Sequence, residues 1–120
     1  MSKFNARDLW DEIYGKALEA YDYAGRRMVK AACGDPNSRY EPTIDHIRPL
    51  SKGGKDNRHN IVICSRETNK EKADSFPYWK ANGRSFTVRL MNNWNDDYEI
   101  VDVQGGIQNV FQMQGLLWQD

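Results

Sequence analysis

An adjacent acid and imidazole, Asp45-His46, stand ahead of a glycine-rich basic loop in this chain, and two amides, Asn60 and Asn69, follow nine positions apart. Hydrolysis of a phosphodiester needs a water nucleophile, a base to deprotonate it, and positive charge on the developing phosphorane and leaving oxygen. Histidine suits the base role because an unperturbed imidazole titrates at about 6.5. A hard cation such as magnesium or manganese suits the charge role and prefers oxygen ligands, which Asp45 and the Asn69 amide offer. If Asp45 and His46 share a strand they face opposite ways. A metal-facing carboxylate is then separated from a water-facing imidazole.

Taken singly, each residue has an ordinary reading. Asp45 is also a turn or cap residue, His46 a structural histidine, Asn69 a surface amide, and Lys52, Lys55 and Arg58 a solvated loop. Order and spacing together carry the chemistry. His59, beside Asn60, is the local ambiguity; the Ile61-Val62-Ile63 run that follows favours Asn60 as the motif residue, with His59 exposed.

The charge distribution supports a polyanionic partner. The chain has 120 residues and no formal net charge. Between Ile47 and Lys72, however, seven basic residues outnumber three acids for a net of +4, and after Arg89 five acids meet no Lys or Arg. The basic middle, with Arg48, Lys52, Lys55, Arg58, Lys70 and Lys72, is the segment expected to meet phosphates, and the acidic tail faces away. With 39% hydrophobic and 28% charged residues, the composition is that of a globular protein, not a disordered one. No apolar run reaches the roughly 20 residues of a membrane span. The charged start lacks a signal-peptide core, so the expectation is an intracellular, cytoplasmic protein with no membrane partner. Two cysteines, Cys33 and Cys64, are too few for a disulfide scaffold.

The elements that must hold these residues follow from periodicity. Leu9, Trp10, Ile13, Tyr14, Ala17, Tyr21, Ala24 and Met28 recur at helical spacing, which predicts one long N-terminal helix capped by Asn5 and stopped at Gly34-Asp35-Pro36. Glu41–Asp45 and Ile61–Cys64 read as strands, residues 47–59 as a loop with Gly53-Gly54 supplying freedom, and Arg66–Ala73 as a short helix. Phe86–Leu90 and Tyr98–Val103 alternate as a hairpin around an Asn/Asp turn. The 107–118 tail, with Phe111, Leu116, Leu117 and Trp118, predicts docking on the domain or on a second subunit. The expected fold class is α+β, one domain over residues 1–120: an N-terminal helical region (1–35), a central ββα unit (40–76), and C-terminal strands and tail (84–120).

Across Cys33–Asp74 the sequence resembles the HNH endonuclease family. That family has an acid or His followed by His, then Pro and a glycine loop, a middle Asn or His, and a last Asn or His on a helix. Here these are Asp45-His46, Pro49, Gly53-Gly54, Asp56, Asn60 and Asn69, with Lys72 and Asp74 trailing, in the Asp-His…Asn…Asn form of RNA-guided CRISPR nucleases. The resemblance implies a ββα-metal core, His46 as general base, Asp45 and Asn69 as ligands of one Mg2+ or Mn2+, and Asn60 as the brace of the loop carrying His46. Double-stranded DNA is the implied partner, with 5′-phosphate and 3′-hydroxyl products. A monomer would nick, and a homodimer would cut both strands. Many relatives hold the motif with two CxxC zinc pairs. Lys30 and Glu67 stand where partners of Cys33 and Cys64 would fall, so a structural zinc is not expected, and helix and hairpin must brace the unit instead. Where some relatives carry a further His ligand this chain has Ala73, leaving two protein ligands. The rival reading is an HNH-shaped module that binds DNA or a partner without cutting.

Overall fold

A computed structural model describes residues 2–92 and 97–103. The tail reading at 107–118 and the Asn93–Asp96 part of the turn lie outside the described residues. The order is α1 (Ala6–Tyr14), β1 (Glu19–Tyr21), β2 (Arg27–Val29), β3 (Pro42–His46), β4 (Ile61–Ser65), α2 (Arg66–Lys72), β5 (Trp79–Ala81), β6 (Arg84–Asn92) and β7 (Asp97–Asp102), with short 3-10 turns at Lys30–Ala32, Leu50–Lys52 and Arg58–Asn60. The strands form three antiparallel sheets, β1-β2, β3-β4 and β5-β6-β7, so the class is α+β.

The long N-terminal helix is not formed. Asn5 does cap α1, accepting from the Asp8 N–H at 2.9 Å and donating its amide to the Asp8 carboxylate. But Gly15, at φ 60, closes the helix after nine residues, and the Trp10 indole donates to the Ala17 carbonyl beyond it. The apolar positions that continue the helical spacing belong to a hairpin. Asp22 sets its turn: one carboxylate oxygen accepts from the Ala24 and Arg26 N–H groups, and Gly25 takes φ 85. A side chain that binds the backbone two residues on competes with helix, and a glycine at positive φ completes the turn. Asp-x-x-Gly was the available signal.

β5 is a strand beyond those that the alternation predicts. It pairs with the start of β6 through Asn82-Gly83, both at positive φ. That dipeptide is the strongest short-range hairpin signal there is, because the turn that suits strand twist needs positive φ at both positions.

β4 is the spine. All five of its residues are buried, and successive side chains enter different cores. Val62 and Cys64 join Tyr23, Trp79, Phe86 and Ile100, whereas Ile61 and Ile63 join Leu9, Trp10 and Met28. β3 covers one edge of β4 and carries Asp45 opposite Val62 and His46 opposite Ile61. Facing residues in a ladder share a side of the sheet, so the two cores also define the two surroundings of the Asp-His pair.

Candidate active site

α2 begins where β4 ends. Ser65 is its cap, accepting from the Thr68 N–H, while the Ser65 N–H donates to the second oxygen of the buried Asp22 at 2.9 Å. The turn that replaced the long helix therefore fixes the start of the site helix. Ion pairs Arg26–Glu71 (2.6 Å) and Arg66–Glu41 and a bond from the Asn82 N–H to Glu71 hold its flanks. Bracing comes from both sides of the ββα unit, but on the N-terminal side it is a hairpin turn that does it. Cys33 and Cys64 are free thiols, and burial pushes both above the ordinary range.

On the α2 side of β3, the Asn69 amide nitrogen donates to Thr43 Oγ1 at 3.0 Å and to the Ile44 carbonyl at 3.2 Å. A carbonyl acceptor fixes which end of the amide faces the strand, so the Asn69 oxygen is the end left for a ligand. Asp45 lies on this same side, 12% exposed, with Lys72 Nζ 3.1 Å from its Oδ2. That oxygen has no hydrogen-bond partner, so the contact is charge attraction without good alignment. Burial raises the Asp45 pKa, and the Lys72 charge works against that rise.

Lys72 has no exposed side-chain surface. Its ammonium also donates to the His46 carbonyl at 3.0 Å and stands over the Trp79 ring. This corrects its expected place among the surface phosphate contacts: α2 turns it inward, where it neutralises Asp45 and ties the helix to the end of β3.

His46, the last residue of β3, faces the other way. Its Nε2 is 2.8 Å from Asp56 Oδ1. Asp56 also accepts from Ser2 Oγ at 2.6 Å and from the Lys3 N–H at 2.8 Å. The Ser2 and Lys3 bonds, then His46, hold its carboxyl well below the usual range.

Asn60, fully buried, organises the loop between. Its oxygen accepts from the Arg48 N–H at 2.8 Å, and its nitrogen donates to the Arg48 and Lys55 carbonyls at 3.0 and 2.9 Å. Gly54 is pressed against this knot; a Cβ there would sit 1.9 Å from the Arg48 carbonyl oxygen.

The basic residues are not equivalent. Lys52, Lys55 and Lys70 are exposed, Lys70 lying 3.9 Å from Glu67. Arg48 turns back on its own loop, donating to the Lys52 carbonyl. Arg58 pairs with Glu12 at 2.6 Å. His59 is exposed, 3.6 Å from Asp97. Asp56 stands in the family pattern without a role, and Ser2 and Lys3 stand outside it; their meeting depends on the path of the loop and carries no periodic signal.

Among the described residues no group of three His, Cys, Asp or Glu side chains is placed to hold a metal. The donors whose chemistry suits a hard divalent cation are the Asp45 carboxylate, its Oδ2 already ion-paired with Lys72, and the Asn69 carbonyl. Both supply the oxygen chemistry such ions prefer. No helix among the described residues is long and apolar enough to cross a membrane.

No curated protein and no solved structure matches the chain. Residues 34–78 do match the family described as HNH endonuclease, whose members act on DNA and generally use a divalent metal ion. The match spans β3, the braced loop, β4 and α2, so the likeness to HNH endonucleases covers this central segment, around which the flanking elements pack.

Proposed function

We propose that the chain is a metal-dependent DNA endonuclease in which His46 is the general base and Asp45 and Asn69 are the ligands of one Mg2+ or Mn2+ ion. The observation that carries this is the division of β3. Asp45 lies on the α2 side, where the Asn69 amide nitrogen is held by Thr43 and the Ile44 carbonyl, while the next side chain, His46, has Nε2 engaged by Asp56 and so offers Nδ1 as proton acceptor. When bound, the cation supplies Lewis-acid stabilisation of charge on the phosphate and the leaving oxygen.

The chain's own groups do the rest. His46 Nδ1 takes a proton from water as the water oxygen bonds to phosphorus. The bond from phosphorus to the 3′ oxygen breaks in line, leaving 5′-phosphate and, after protonation by solvent, 3′-hydroxyl ends. Asn60 and Gly54 keep the loop after His46 closed. Lys52, Lys55 and Lys70 meet the DNA backbone, so binding weakens as salt rises. One site per chain cuts one strand, so a monomer nicks.

The test is conversion of supercoiled plasmid to open circles with Mg2+ or Mn2+. Wild type should nick and His46→Ala should not. Intact plasmid with both metals, or equal cutting by the His46→Ala protein, would overturn the reading.

A further inference from the structure

We propose that Asp56 is the positioning residue of His46, and that Ser2 and Lys3 complete the device by holding Asp56 from 53 and 54 residues away in sequence. The inference rests on His46 being the general base and adds what keeps it in the right form.

An ionised carboxylate accepts hydrogen bonds and donates none. At 2.8 Å from Oδ1, the His46 Nε2 must therefore carry the proton, and Nδ1 is left with its lone pair. A neutral imidazole in the other tautomer would present N–H to water and could take no proton from it. The same contact fixes the ring plane, because rotation about the Cβ–Cγ bond breaks it.

The carboxylate would be a poor guide if it were mobile. It is not: Ser2 Oγ donates to Oδ1 and the Lys3 N–H to Oδ2, so both oxygens are engaged. The Ser2 hydroxyl in turn accepts from the Phe4 N–H at 3.0 Å, just before the Asn5 cap. A rigid path thus runs from the start of α1 through Ser2 and Asp56 to His46. Asp56 itself lies in a loop pinned on either side, by Asn60 at the Lys55 carbonyl and by the Asn57 side chain, which accepts from the His59 and Asn60 N–H groups. The lysines of this loop are exposed, and no other carboxylate contacts the His46 ring among the described residues.

The experiment pairs plasmid cleavage kinetics in Mn2+ with 15N NMR of the imidazoles in the DNA-free protein. The chain has two histidines, so the spectrum of His46→Ala assigns the ring. In wild type His46 should be the Nε2–H tautomer. In Asp56→Ala the two tautomers should mix, and kcat should fall about 10- to 100-fold, as for other groups that orient a working histidine, with KM little changed. Asp56→Asn keeps an acceptor and should recover part of the loss. Ser2→Ala should show a smaller kcat loss in the same direction.

A wild-type Nδ1–H tautomer overturns the proposal even if no Asp56 variant folds. So does a folded Asp56→Ala protein with unchanged tautomer and full kcat while His46→Ala is inactive. Full activity of His46→Ala would instead overturn the nuclease mechanism, a distinct outcome.

Discussion

Asp45 and His46 are neighbours in one strand, yet they sit in opposite kinds of surroundings. Asp45 lies against α2, is compensated by a buried ammonium, and has its pKa raised by desolvation. His46 reaches to the loop side, where a carboxylate gathers three hydrogen-bond donors and has its pKa lowered. The alternation of a strand puts two incompatible electrostatic jobs 3.8 Å apart along the backbone without their sharing an environment. One side holds a buried carboxylate against a buried ammonium, and the other holds an imidazole against a carboxylate fixed by the N-terminal segment.

Removing the proposed base should give the largest effect. His46→Ala should lower plasmid cleavage by about 100- to 10,000-fold, the usual contribution of a positioned proton acceptor, while circular dichroism stays native. Breaking the other side should show in stability. Lys72→Ala leaves Asp45 buried without its counter-charge and should cost about 3–5 kcal/mol in urea unfolding; a loss below 1 kcal/mol would mean that Lys72 is not the partner described.

Acid titration sharpens the contrast by sign. The folded pKa of Asp56 lies below its unfolded value, so its contribution is present above the ordinary carboxylate range and is lost as pH falls through the lower folded value. Asp45 is the reverse: its folded pKa is raised, so stability falls as pH rises through the window from the unfolded to the folded value. Subtracting the Asp56→Asn and Asp45→Asn unfolding curves from wild type between pH 2 and 6 should therefore give differences of opposite slope. Equal slopes would erase the distinction.

The smallest effect concerns the surface. Lys52→Gln or Lys55→Gln should each flatten the salt dependence of DNA affinity by about 0.9 in the log–log slope. Lys72→Met should leave that slope unchanged, since its ammonium has no surface to offer a phosphate.

The legible parts of this molecule are those whose signals are local. β3, β4 and α2 follow from a proline, β-branched runs and a serine cap, and their order alone put Asp45, His46, Asn60 and Asn69 on the elements that carry them. The N-terminal region departs from its helical spacing because turn chemistry outweighs periodicity there. Gly15, Asp22 and Gly25 break the helix, and Asn82-Gly83 makes a strand pair that composition hides. A lysine is ordinarily a surface residue; only the packing of α2 against β3 and Trp79 turns Lys72 inward.

By itself, then, the sequence determined the chemical inventory: an acid, an imidazole and two amides in family order, on a ββα frame, within a basic segment of a neutral chain. Tertiary structure decided how each is tuned. Whether a carboxylate is desolvated, which imidazole nitrogen holds the proton and which lysine sees solvent depend on groups 10 to 54 positions away. Contacts at that range are set by how elements pack, and neither spacing nor propensity encodes them one residue at a time.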